Sequence, residues 1–497
     1  MTLPTLETIN LAGVIPVLIL IGGTCALTVV DVFVPPGRKA IVAWLGLLVV
    51  VASGVALGIQ AAAYPVTGPQ SSFGGMVEVD GFALFMQGLF LLIGFFAILM
   101  ALNFLPRQGI ERGEYYTLLL FSTSGTMMMA LAADLIVVFL ALELLSIPLY
   151  ILAGFARPRA DSEEAAMKYF LLGAFSSAFL IYGIALTYGG TATTSLSGVV
   201  DALTGQALNP ALAILGMGLI LVGLGFKVAA VPFHMWTPDV YQGSPTPATA
   251  FMSVGAKAGG FAALIRVLVM AFPTLSGTWG LLTAIIAALT LILGNVVAIS
   301  QSNVKRMLAY SSIAHAGYVL LAVSAAAQPD VTPYAVSAAM FYLLTYTVTN
   351  LGAFAVVMAV ERDDRSGNEI EDFAGMGRTR PLLAVLMTLF MLSLTGVPPS
   401  AGMVGKFFVF QAAVRASTGN PLLLAVTIIA VLTSVVSAFY YLRIPVVMYF
   451  REGEGQAQLQ PVLGVALALT GLATLVLGII PAAFFQMAQQ ALLAFSG

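Results

Sequence analysis

The sequence predicts an all-α integral membrane protein of about fourteen transmembrane helices, and three observations carry that reading. Of its 497 residues, 60% are hydrophobic and only 8% are charged, against roughly 25% charged in a soluble domain. Apolar runs long enough to cross a bilayer, about 20 residues each, recur along the chain with short polar links between them. The runs also lack the period-two alternation of barrel strands, so the backbone must satisfy itself within helices.

The spans follow in order. Residues 1–10 hold no lysine or arginine, so the apolar run 9–33 reads as a retained first span rather than a cleaved leader. Plain apolar runs give spans 2 to 4 at 40–63, 81–105 and 114–132. Span 5, 134–155, carries Glu143 near its middle, and span 6, 164–189, carries Lys168 about five residues in. Span 7, 210–231, holds Lys227 five residues before Pro232, and span 8, 244–271, holds Lys257. Spans 9 to 11 lie at 277–299, 304–327 and 333–360, with His315 in the tenth. Span 12, 382–411, has Pro398 and Pro399 seven residues before Lys406, and 422–449 and 460–484 complete the set.

Charge separates the two faces. Links after odd-numbered spans hold Arg38, Lys39, Arg107, Arg112, Arg157, Arg159, Lys305, Arg306, Arg362, Arg365, Arg378, Arg380, Arg443 and Arg451, whereas the other side holds only Arg266 and Arg415. Because lysine and arginine near span ends stay cytoplasmic, both termini are expected on the non-cytoplasmic side. A net charge of -2 offers no basic surface for nucleic acid. The single cysteine, Cys25, excludes an internal disulfide and a cysteine-ligated cluster, so redox chemistry would lie in another subunit.

The four remaining basic residues are all lysines inside apolar spans: Lys168, Lys227, Lys257 and Lys406. An ionisable group at the bilayer centre costs at least about 2.5–3.5 kcal/mol, and the default meaning of one is an ion or proton path. Lysine suits proton transfer because burial lowers its pKa and a nearby carboxylate raises it, while arginine stays protonated. Lys168 is shallow enough that snorkelling to the interface is an equal reading. His315 fits a proton relay or a packed, hydrogen-bonded side chain equally well; His234, just after Pro232, reads as a loop or capping residue.

The prolines predict helix breaks at spans 7 and 12, beside Lys227 and Lys406. Broken helices in corresponding positions of two halves mark the ion path of inverted-repeat transporters, and spans 4–8 and 9–13 would be those halves. In keeping with this, Glu143 lies nine residues past Asp134 and His315 ten past Lys305, at similar depths from opposite faces. The expected domains are 1–113, a three-helix segment; 114–271 and 272–450, the two repeats; and 451–497, a terminal helix.

The stretches FKVAAVPFHMWTPDVYQGSPTPATAFMSVGAKAGG (226–260), NVKRMLAYSSIAHAGY (303–318) and LTGVPPSAGMVGKFFVF (394–410) closely resemble the antiporter-like subunits of the proton-pumping NADH:quinone oxidoreductase, respiratory complex I, and among them subunit N. The PFH-x-W-x-PD core is common to the wider family; the TPDVYQG continuation and the GKF of span 12 point to subunit N. Subunit M tends to have a glutamate where Lys406 stands. The resemblance implies that Glu143 pairs with Lys227, that Lys257 is the central relay and that Lys406 lies on the exit side, with Lys168 also at a family lysine position. It further implies a translocase subunit in a bacterial plasma membrane, lying beside K-type and M-type subunits and the lateral helix of an L-type subunit. No cofactor is expected in this chain; quinone, NADH, FMN and iron–sulfur clusters would serve the complex elsewhere. The alternative is a stand-alone or Mrp-type cation/proton antiporter subunit, though Glu143 alone is a poor cation site.

Overall fold

The structure, a computed structural model, describes residues 9–205, 207–362 and 366–494. Arg365 and most of the N-terminal stretch weighed as a leader lie outside the described residues. The chain is a bundle of helices: α1 (Ile15–Phe33), α2 (Ala40–Thr67), α3 (Gly81–Arg107), α4 (Glu114–Leu131), α5 (Leu135–Ala153), α6 (Ala160–Thr191), α7 (Leu196–Thr204), α8 (Pro210–Lys227) and α9 (Thr237–Gly243). Then come α10 (Thr246–Ala271), α11 (Ser276–Ile299), α12 (Val304–Ala325), α13 (Thr332–Val360), α14 (Pro381–Thr395), α15 (Ala401–Ala416), α16 (Pro421–Phe450), α17 (Pro461–Ile479) and α18 (Pro481–Gln490). Among the described residues, 12 helices are long and apolar enough to cross a membrane. Of the other two expected spans, one is the more polar α4 and the other is split into α14 and α15.

Burial sorts the helices into a core and a rim. The apolar stretch of α10 is buried throughout, and those of α12 and α13 nearly so, whereas α1, α2, α6, α16 and α17 turn apolar side chains such as Phe33, Phe175 and Phe439 outward. A helix apolar on its outer face needs lipid or another protein against it. The chain is therefore a membrane protein whose polar interior is screened by its own outer helices.

Both expected breaks are present, and side chains repair the backbone at each. After α8 ends at Lys227, Ala229 adopts φ 60° and the chain turns irregularly through 228–236. The indole of Trp236 donates to the Phe226 carbonyl at 3.1 Å, and Thr290 Oγ1 accepts from the Val231 amide at 3.0 Å. The span resumes as the seven-residue α9, a helix expected only as a link. Between α14 and α15 the turn requires Gly396 at φ 94°, and Ser393 Oγ accepts from the Gly402 amide at 3.0 Å. Such substitutions are what allow irregular backbone at membrane depth.

A small antiparallel hairpin, β1 (Gln70–Ser72) and β2 (Val77–Val79), joins α2 to α3, with Gly74 and Gly75 supplying the left-handed turn. Two isolated β-bridges recur in comparable places: Asp134, capping α5, pairs with Ser195, and Asn303, capping α12, pairs with Glu369.

Candidate functional site

Three of the four intraspan lysines are buried to within 2–4% exposure, and each is held by neutral oxygens. Lys227, in the last turn of α8, donates to Ser146 Oγ at 2.8 Å and Tyr169 OH at 3.1 Å. Lys257, in α10, donates to the Ser312 carbonyl of α12 at 2.6 Å. Lys406, in α15, donates to the carbonyls of Leu394 and Thr395 at 3.0 and 2.8 Å and to Ser434 Oγ at 2.8 Å. Among the described residues, no carboxylate lies within ion-pair distance of any of the three.

Each position has a local cause. The carbonyls that hold Lys406 are the orphans at the end of α14, where the helix dipole favours a cation. Lys257 follows a π turn, Met252–Ala256, which is a common device at functional sites. Lys227 packs on Gly260, where a Cβ would come within 3.3 Å of Lys227 Cγ and 2.9 Å of Val228 Cγ1. Gly260 stands three residues after Lys257 on the same helix, so Lys227 and Lys257, the two buried lysines of the first half, are packed through neighbouring turns there.

His315 lies between Lys257 and Lys406, on α12. Its Nδ1 is 2.7 Å from Tyr342 OH and its Nε2 is 3.1 Å from Tyr441 OH, and Tyr441 OH in turn bonds Ser311 Oγ. Its ring stacks on Tyr346 at 4.6 Å, while Lys406 Nζ sits 4.9 Å over the ring of Tyr318, a neighbour of His315 at 5.8 Å. His315 is thus a packed, fully hydrogen-bonded side chain whose partners are hydroxyls that both donate and accept.

Glu143 does not pair directly with Lys227. Its Oε1 accepts from Ser177 Oγ at 2.5 Å, and Ser146, three residues on along α5, is the group that reaches Lys227. A hydroxyl rather than a carboxylate fills the contact, and the carboxylate acts from further away. Lys168 stands apart from the buried row. It is 41% exposed and pairs with Glu164 at 2.7 Å and Asp239 at 2.6 Å, and Asp239 also takes Arg306 at 2.6 Å. That is the ion-paired interfacial reading of Lys168.

Two basic residues counted among the face charges near span ends are instead buried. Arg266 is fully enclosed in α10, pairing with Asp80 at 2.7 Å and donating to the Ala130 carbonyl at 2.5 Å. Lys305, 3% exposed, donates to the Ser244 carbonyl at 2.7 Å. Asp80 also caps α3 through the Ala83 amide and accepts from the Ala494 amide at 3.0 Å, so it ties the C-terminal segment to the bundle. Nearby Glu78, buried in the hairpin, has its carboxyl pushed up by burial, with Arg266 opposing and Asp80 reinforcing the shift.

The NADH:quinone oxidoreductase/Mrp antiporter transmembrane family matches residues 132–433, the stretch that holds every buried lysine. The chain is 47% identical over 493 residues to NADH-quinone oxidoreductase subunit N of Trichlorobacter lovleyi, covering 98% of this chain and 97% of that protein. It is 46% identical over 499 residues to the same-named subunit of Chloroflexus aggregans, covering 99% of each. Among solved structures, a chain of Thermus thermophilus respiratory complex I with bound aureothin superposes with TM-score 0.78 at 36% identity, over 96% of this chain and 100% of that one.

Proposed function

The chain belongs to the NADH:quinone oxidoreductase/Mrp antiporter transmembrane family, and from that premise we propose how it works as the proton-translocating, subunit N-type membrane subunit of a bacterial complex I. Redox cofactors belong to other subunits of that complex, and its neighbours are other complex I membrane subunits. The relatives' names favour this over a stand-alone or Mrp-type antiporter.

Protons run along Lys227, Lys257, His315 and Lys406. The observation that carries this reading is the neutrality of the lysines' partners. A buried lysine paired to a carboxylate strands a charge when it deprotonates, which is strongly unfavourable. A lysine held by hydroxyls and carbonyls leaves only neutral groups behind, and so can release its proton and take another. Glu143, offset from Lys227, biases the first site through space, and its neutralisation or displacement drives the proton onward. Moving a charge against 100 mV takes about 2.3 kcal/mol, which a change of under two pK units supplies at about 1.4 kcal/mol each. Lys168, with Glu164 and Asp239, lines the approach rather than the buried row.

The Arg-rich links face the cytoplasm of a bacterial plasma membrane, and both termini lie opposite. Residues 114–271 and 272–450 are inverted repeats flanked by 1–113 and 451–497. The comparable bridges Asp134–Ser195 and Asn303–Glu369 support that division. K-type and M-type subunits and the lateral helix of an L-type subunit cover the exposed helices.

The test is quinone-linked proton transport by inverted membrane vesicles containing the assembled complex. Lys257→Met is expected to abolish it while subunit content stays normal; full transport in that variant would defeat the reading.

A further inference from the structure

Resting on the proton path above, we infer that a second cytoplasmic inlet, gated by Glu361, delivers protons to Lys257 without passing Lys227. On the Arg-rich face a cavity of about 390 Å³ is lined by Asp161, Lys305, Glu361, Asn368, Glu369 and Asp372. Most of these are ordinary surface acids and amides. Glu361 is different: it caps the end of α13 and is 2% exposed.

Its carboxylate points inward. Glu361 Oε2 accepts from Thr246 Oγ1, the first residue of α10, where a helix N-terminus favours negative charge. The backbone beneath it is fixed, because Arg107 Nη2 donates to the Met358 and Glu361 carbonyls at 2.7 Å each. Glu361 therefore joins the cavity to the head of the helix that bears Lys257, eleven residues and about 16 Å further in.

The interval between them is lined with hydroxyls. Ser244, Tyr241 and Ser312 are each fully buried, and among the described residues none of their side-chain oxygens makes a hydrogen bond of ordinary geometry. Lys305 and Thr249 hold the first two in place through their carbonyls, at 2.7 and 3.0 Å. Ser312 lies within loose hydrogen-bonding range of Tyr241 and Tyr346, and its own carbonyl holds Lys257 Nζ. Buried hydroxyls are normally well bonded, so a row of loosely bonded ones from the cavity floor to Lys257 marks where proton-carrying water is held. The Glu361 carboxylate takes a proton from the cavity to give the neutral acid, which passes it along that row to the neutral amine of Lys257. That step forms the ammonium and restores the carboxylate, so one positive charge moves inward per cycle.

Glu361→Gln separates proton transfer from structure, since the glutamine carbonyl still accepts from Thr246 but its amide neither takes up nor releases a proton near neutral pH. In vesicles bearing the assembled complex, Glu361→Gln is expected to lower quinone-linked proton uptake at least threefold and to flatten its dependence on cytoplasmic pH, with Glu361→Asp restoring most of it. Wild-type uptake and pH profile in Glu361→Gln would overturn the inlet. If that variant fails to assemble, Thr246→Val replaces it, with unchanged uptake again overturning the proposal. Lys257→Met is run in parallel: transport lost there but intact in Glu361→Gln removes only the inlet, whereas transport intact in Lys257→Met removes the path itself.

Discussion

The ammonium of Lys406 lies 2.8 Å from the carbonyl oxygen of Thr395, the last residue of α14, across the break from its own helix. The cation and the end of the broken helix complete each other: one gains a dipole, the other gains donors for its orphan carbonyls.

Lys406→Arg keeps the charge and the donors but cannot give up its proton. It is therefore expected to assemble normally while quinone-linked proton transport falls at least tenfold. Lys406→Met should lose transport as well and also destabilise the break by about 1–3 kcal/mol per carbonyl left unpaired. Transport by Lys406→Arg close to wild type would show that the side chain only braces the break.

Arg266 and Asp80 form a fully enclosed pair. Arg266→Met leaves a buried carboxylate without its counter-charge, at a cost of about 3–5 kcal/mol. The expected result is a lower thermal midpoint for the detergent-solubilised complex, or loss of the subunit from it on native gels. Adding Asp80→Asn should recover part of the loss, because a neutral amide still caps α3.

Gly260→Ala places a methyl group 2.9 Å from Val228 Cγ1 and 3.3 Å from Lys227 Cγ. Overpacking of this kind costs about 1–3 kcal/mol, and here it prises Lys227 from α10. Proton transport is expected to fall several-fold with subunit content unchanged, as read by vesicle acidification and immunoblot. Normal rates would mean that the contact is incidental.

Glu78 has a carboxyl pKa raised above its ordinary value by burial. For a raised carboxyl, the contribution to stability is full below about pH 4.3, the unfolded value, and is lost as pH climbs through the folded value. Glu78→Gln should remove that loss: its thermal midpoint should exceed the wild type's at pH 8 and approach it at pH 5. Parallel curves at both pH values would exclude Glu78 as the titrating group.

Hydropathy and proline placement made the spans, both breaks and the three deep lysines legible, because insertion into lipid is a local, additive property of a 20-residue window. Features depending on distant segments were not. The seven residues of α9 are too short to register as a span, and Asp239 within them suggests a link. The hairpin at 70–79 is equally short. Arg266 reads from sequence only as a face charge near the end of its span, because its partner Asp80 is 186 positions away. Ser146, Tyr169, Tyr342, Tyr441 and Ser434 escaped notice for a different reason: hydroxyls are common in apolar helices, and only a folded lysine or histidine beside them reveals their part. Their one signal was crowding, as in FYLLTYTVTN (341–350), where two tyrosines, three threonines and an asparagine share ten residues.

The loosened turn Met252–Ala256 fits five residues where four would close an ordinary turn. Each residue swings a helix by about 100°, so the wide turn takes up its fifth residue without redirecting the helix beyond it, and Lys257 meets the Ser312 carbonyl. One residue added or removed within 246–251, where the winding has no slack, would rotate that amine off the carbonyl.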